Sequence, residues 1–241
     1  MTDLPTQNRV VEFLQRGDRV FALVPGNDLA ALDAALKSAR VAYAVVDARS
    51  SRFLLLTNRL QQDESDSNPL KQNVWMAPRP PEPVVEPGAA EPSRYEWFDP
   101  KPPWQWRVPA SFGFGNAIEL VGADFPTSVR RPGSIPLSLF FRVDKKPPGG
   151  FRIFVHFDIP GEPRVIGDHA PVNGAFATEY WLPGEYIRDT YDVEVPLMTT
   201  PAGTYTLLVG FWPGGEGKRL KITAGSSDGA DRARLGTIEI K

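Results

Sequence analysis

The sequence predicts a two-domain α+β chain: a small α/β unit followed by an Ig-like antiparallel β-sandwich. Three observations lead there. From Trp106 onward, short apolar runs alternate residue by residue and are punctuated by Gly and Pro turns. The first 60 residues instead mix helical spacing with short strand-forming runs. Between them lies a stretch rich in proline and tryptophan, in a chain of 241 residues with 25 Pro and 21 Gly. The boundaries read as an α/β domain at 1–60, a Pro/Trp-rich linker at 61–103 and a β-sandwich at 104–241.

In the first domain, Val10, Val11, Phe13 and Leu14 form one face of a short helix stopped at Gly17. Arg19–Val24 is a strand ended by Pro25-Gly26, and Asn27 or Asp28 can cap the next helix. Leu29, Leu32, Leu36 and Ala39 then fall at near-helical spacing. Ala42–Val46 and Phe53–Thr57 read as two more strands. This order implies a right-handed βαβ crossover plus a hairpin.

The linker combines an acidic run, QQDESDSN, with MAPRPPEPVVEPGAAEPS, which reads as polyproline II. Trp75, Trp97, Trp104 and Trp106 fall in or beside it. Such rings either pin a linker onto a domain surface or form an exposed platform for a sugar ring.

In the second domain the expected strands are Ala117–Val121, Ile135–Val143, Phe151–Phe157, Arg164–Ile166, Tyr191–Val195, Thr204–Phe211, Arg219–Thr223 and Thr237–Ile240. Ile135, Leu137, Leu139 and Phe141 share one face, as do Tyr205, Leu207, Val209 and Phe211.

Composition excludes several functions. A formal net charge of −2 gives no long-range attraction to nucleic acid, and there is no basic stripe. With no cysteine, a disulfide framework, a thiolate nucleophile and a Cys-based zinc site are all ruled out. No apolar run approaches the roughly 20 residues that span a bilayer. The N-terminus, MTDLPTQNRVVEF, has neither the basic nor the apolar region of a signal peptide.

The run Phe154–Asp189 is where a site is expected. It holds both histidines, with acidic residues near each. Strand alternation puts His156 and Asp158 on one face. Asp168, His169, Trp181, Glu185 and Asp189 complete the candidate ligand-binding set. A His/Asp/His zinc site or an Asp/Glu calcium site is conceivable there. The alternative is that His156 and Asp168 tie a long loop to the sheet by hydrogen bonds. Neither metal nor another cofactor is assigned. Pro183-Gly184 suits the centre of a type II turn, with Trp181 capping the core and Glu185 accepting backbone N–H bonds. There is no Gly-x-Ser-x-Gly elbow. A glycosidase would need two carboxyls roughly 5–10 Å apart across a cleft. No residue is therefore assigned as catalytic.

The stretch GDHAPVNGAFATEYWLPGEYIRDTYDVEVPLMTTPAGTYTLLVGFWPGGEGKRL, with the preceding FVHFD, resembles a β-sandwich module at the C-terminus of bacterial polytopic membrane proteins. Many of these are glycosyltransferases of the protein mannosyltransferase and aminoarabinose transferase type. The resemblance covers about Ala117–Lys241. RVFALVPGNDLAALDAALKSARVAYAVVDARSSRFLLLTNRL is similar to the small extracytoplasmic α/β segment of such transferases. The catalytic region of those enzymes has no counterpart in this chain, so no catalytic role carries over. The resemblance implies a non-catalytic extracytoplasmic module that binds or positions a glycan, a lipid-linked sugar or a partner protein. It also implies attachment to the membrane through a segment before Met1. The chain would be cytoplasmic if Met1 were a true start. The alternatives are a free-standing carbohydrate-binding or adhesion-type module and, behind it, a carboxylate-dependent hydrolase.

Overall fold

The computed structural model describes residues 6–76 and 102–241. It shows a two-part α+β architecture with compact units Met1–Pro102 and Pro103–Lys241. No helix among the described residues is long and apolar enough to cross a membrane.

The first unit holds α1 (Thr6–Leu14), β1 (Phe21–Pro25), α2 (Leu29–Ser38), β2 (Ala44–Asp47), β3 (Phe53–Thr57) and β4 (Val74–Met76). Leu29, Leu32 and Leu36 of α2 bury the stripe their spacing predicts. On α1 the expected face divides: Leu14 is buried and Phe13 is exposed. The sheet order is β1-β3-β2, with both pairings antiparallel. Thus β3 inserts between the two strands that α2 connects, so the crossover is split rather than made of adjacent strands. Asp28 stands at the helix N-cap without a side-chain cap bond, because a 3-10 turn, Gly26–Asp28, already leads the backbone into α2.

Residues 61–76, expected as linker, carry ordered contacts within this unit. Tyr43 donates its hydroxyl to Asp33 at 2.6 Å and accepts from Asn68 Nδ2 at 2.7 Å. Asn68 Oδ1 in turn accepts from the Leu70 N–H, capping the turn Pro69–Gln72. A short polar run with one well-placed Asn thus closes a buried network that hydropathy does not reveal. The polyproline stretch and Trp97 lie outside the described residues.

The second unit is a large, mainly antiparallel β region. Its elements are β5 (Val108–Phe114), β6 (Ile118–Asp124), β7 (Ser128–Val129), β8 (Gly133–Val143), β9 (Arg152–Asp158), β10 (Val165–Ile166), β11 (Glu185–Val195), β12 (Gly203–Trp212), β13 (Ile222–Ala224) and β14 (Ala233–Ile240). One sheet runs β10-β9-β12-β14-β7, where only the β14–β7 pairing is parallel. The other runs β13-β5-β6-β8-β11.

The two sheets meet through aromatic side chains. Phe211 of β12 packs edge-on against Phe114 of β5 at 5.3 Å and Phe141 of β8 at 5.2 Å. The alternating residues predicted to point inward do so: Ile135, Leu139, Phe141, Tyr205, Leu207, Val209 and Phe211 are all fully buried.

Three sequence expectations are corrected here. Residues 108–114 form a strand despite Pro109 and Gly113, because a bulge between Pro109 and Phe112 absorbs the irregularity. Next, β11 begins at Glu185, six residues before its expected start, because its polar positions 185 and 189 face inward and bond internally. Last, the strand expected at Arg219–Thr223 shrinks to Ile222–Ala224, leaving Lys218 and Arg219 in a loop.

Candidate functional site

The seven sequence-predicted residues separate into three places. Trp181 and Glu185 belong to a turn and the core. The Trp181 indole is fully buried, 5.9 Å from Phe141, and donates Nε1–H to the Phe176 carbonyl at 2.9 Å. Glu185 N donates to Leu182 O at 3.1 Å across Pro183-Gly184, and Gly184 has φ +90°. This is the type II turn the dipeptide predicts. Glu185 Oε2 accepts from the Leu182 N–H at 2.8 Å, closing the turn from the other side.

His169 and Asp189 form a buried pair. His169 follows β10 and bridges to Ile153 through its backbone. Its Nε2 lies 2.6 Å from Asp189 Oδ2 and its Nδ1 lies 2.7 Å from the Gly167 carbonyl. With an acceptor at each nitrogen, the ring suits the doubly protonated imidazolium. Burial pulls the His169 pKa down. The bond to Asp189, that residue's charge and the Gly167 carbonyl outweigh burial, and the net shift is upward. The ring stacks on Tyr191 with centroids 4.0 Å apart. Asp189 Oδ1 also accepts from Val172 N at 2.6 Å. Val172 and Asn173 sit at φ +52°, a left-handed conformation costly for a β-branched residue. The Asp189 carboxylate therefore holds a strained turn in place.

His156, Asp158 and Asp168 lie on the outer face of the β10-β9-β12 sheet. His156 Nε2 is 3.2 Å from Asp168 Oδ1, and Arg164 Nη1 is 3.3 Å from His156 Nδ1. An arginine only donates, so Nδ1 is the acceptor and Nε2 carries the proton facing Asp168. Asp168 also accepts from Val155 N at 3.0 Å, tying the loop to the strand. Burial raises the Asp168 pKa, but His156 and the Val155 N–H outweigh it and the net shift is downward. Asp158 turns the other way, pairing with Arg232 at 2.8 Å and Arg164 at 3.4 Å. The two histidines therefore have different carboxylate partners and do not converge. Among the described residues no group of three His, Asp or Glu side chains is placed to hold a metal ion.

Beside His156 and Asp168 opens a cleft of about 510 Å³. Trp212, Lys218, Arg219 and Lys221 line its other walls. None of these four belongs to the candidate ligand-binding set read from the sequence, although Trp212 is one of the tryptophans a sugar platform could use. The Arg219 guanidinium lies over the Phe154 ring, 4.8 Å from its centroid, and Nη1 donates to the Ala230 carbonyl at 3.0 Å. Phe154 itself packs closely on β12 because position 210 is glycine: a Cβ there would come within 2.4 Å of the ring. The signal available in the sequence was Trp212 at the end of an inward-alternating strand, followed by the basic run Lys218-Arg219-Leu220-Lys221.

The other tryptophans have a different setting. Trp106 lies across Gly122, where a Cβ would meet the indole at 2.2 Å, and packs 5.4 Å from Phe140. Trp104 is 6.3 Å from the same ring. Both rings cover the outer face of β8, and this explains why Phe140 is buried although it points away from the core.

Searched against protein-family models and against curated proteins, the chain matches none.

Proposed function

We propose that this chain is a non-catalytic extracytoplasmic module of a bacterial membrane glycosyltransferase-like protein, and that it binds or positions a glycan in the cleft at Trp212. The observation that carries the reading is the cleft itself. A part-exposed indole stands in a concavity of about 510 Å³, within the range of small-ligand sites, among groups that hydrogen-bond. An indole face packs well against the C–H face of a sugar, and surrounding polar groups then select its hydroxyls. The acids on this face support a binding role over hydrolysis. Asp168 is occupied by His156 and Val155, Asp231 by the Ile222 N–H, and Asp158 by two arginines.

On this reading the second unit is an Ig-like β-sandwich. Tyr205, buried near the start of β12, donates its hydroxyl to the Pro201 carbonyl at 2.9 Å. This is the local geometry of a tyrosine corner, a recurrent device of such sandwiches. The sequence resemblance to transferase-associated modules supplies the cellular setting.

A glycan array probed with the whole chain and with Trp212→Ala tests the proposal. Retention on a defined set of glycans by the wild type, lost in the variant, is the expected result. Equal retention by both would remove Trp212 from the site, and retention of no glycan would end the proposal.

A further inference from the structure

Resting on the reading of the cleft as a glycan site, we infer that the sugar unit it holds carries an anionic group, a carboxylate or a phosphate. Lys218, Arg219 and Lys221 all line the cleft, and among the described residues none of them has a carboxylate within ion-pair distance. Three arginines elsewhere on the second unit are instead paired: Arg142 with Glu119, Arg164 with Asp158, and Arg232 with both Asp158 and Asp228. Three cations without a carboxylate partner are thus gathered in one short loop beside one concavity. Two carboxylates also line it, but Asp168 is bonded to His156 and Val155, and Asp231 Oδ1 to the Ile222 N–H.

Arg219 is the anchor. Its guanidinium is stacked on Phe154, and one nitrogen is held by the Ala230 carbonyl. A planar fork fixed before the ligand arrives loses little freedom on binding, and its geometry matches carboxylate or phosphate. Lys218 and Lys221 add mobile point charges on the same wall. Trp212 supplies an apolar face for the ring that bears the acid. The combination selects a charged sugar over a neutral sugar and over a bare anion.

The test is a set of NMR titrations of the whole chain with glucuronic acid, glucose 1-phosphate, glucose and inorganic phosphate. The expected result is that at least one charged sugar binds about tenfold or more tightly than glucose and than phosphate. That preference should weaken between low and high salt. It should also fall in the Lys218→Ala/Lys221→Ala double variant, whose side chains make no hydrogen bond or ion pair among the described residues. Whichever charged sugar binds identifies the acid. Equal binding of glucose would overturn the inference while leaving the cleft a glycan site. Equal binding of phosphate would overturn it in favour of a simple anion site. Binding of none of the four would overturn it, and if the glycan array is also blank the proposed function falls with it.

Discussion

His169 Nε2 and Asp189 Oδ2 stand 2.6 Å apart, joining the loop after β10 to the middle of β11 on the opposing sheet. Both groups are almost fully buried. Removing one partner leaves the other buried without its counter-charge. Asp189→Ala should therefore destabilise the second unit by about 3–5 kcal/mol, the usual cost of breaking a buried pair. Loss of the hydrogen bond to Val172 also frees a strained turn. Chemical denaturation of the whole chain measures the first effect, and faster amide exchange at residues 170–174 reports the second.

The same pair makes stability depend on pH in a defined direction. The folded-state pKa of His169 is raised above its ordinary 6.5. The folded protein therefore binds the proton more tightly than the unfolded chain. This contribution is complete below the unfolded value and is lost as pH rises through the folded value. The denaturation midpoint should fall as the solution is taken from pH 6 upward, and His169→Gln should flatten that slope. Asp168 acts oppositely. Its folded pKa is lowered, so its contribution holds above the ordinary 3.8 and is lost as pH falls through the folded value.

Two glycines seat aromatic rings and predict different outcomes on substitution. At Gly210 an added Cβ meets both the Phe154 ring and the Asp231 carbonyl, at 2.4 Å and 3.1 Å. Gly210→Ala should cost about 1–3 kcal/mol by overpacking and should disturb Arg219 above Phe154. At Gly122 the nearest atoms all belong to the Trp106 side chain. Gly122→Ala should displace that indole from the surface of β6 and red-shift tryptophan emission, with a smaller loss of stability. Fluorescence and denaturation together separate the two cases.

Tyr43→Phe tests the network in the first unit. The hydroxyl lost serves both Asp33 and Asn68, so two buried polar groups lose a partner at once. The expected loss is about 1–3 kcal/mol. Amide exchange should quicken at Leu70, whose N–H is held by Asn68.

The β architecture was legible because Ile135–Phe141 and Tyr205–Phe211 alternate cleanly, and only one face of each run can enter a core. The turn at Pro183-Gly184 was legible from its two residues. Asp189 was found as a candidate but not as a buried strand residue, since a carboxylate in the core depends on a partner 20 residues away. The cleft was less visible. His156 and Asp168 mark one wall, but Trp212 and Arg219 reach it only through the pairing of β9 with β12 and the fold of the following loop. Single-strand periodicity carries no information about which loops close over an outer face. The split order β1-β3-β2 was hidden for the same reason, because strand sequence sets local conformation and not neighbour order.

The most direct measurement of the central claim is the indole N–H spectrum of the whole chain, assigned by single Trp→Phe variants, during titration with a glycan retained on the array. The Trp212 resonance should shift saturably, while Trp181, fully buried and bonded to Phe176, stays fixed. Movement of Trp104 and Trp106 with Trp212 unmoved would place the ligand on the other sheet and contradict the account.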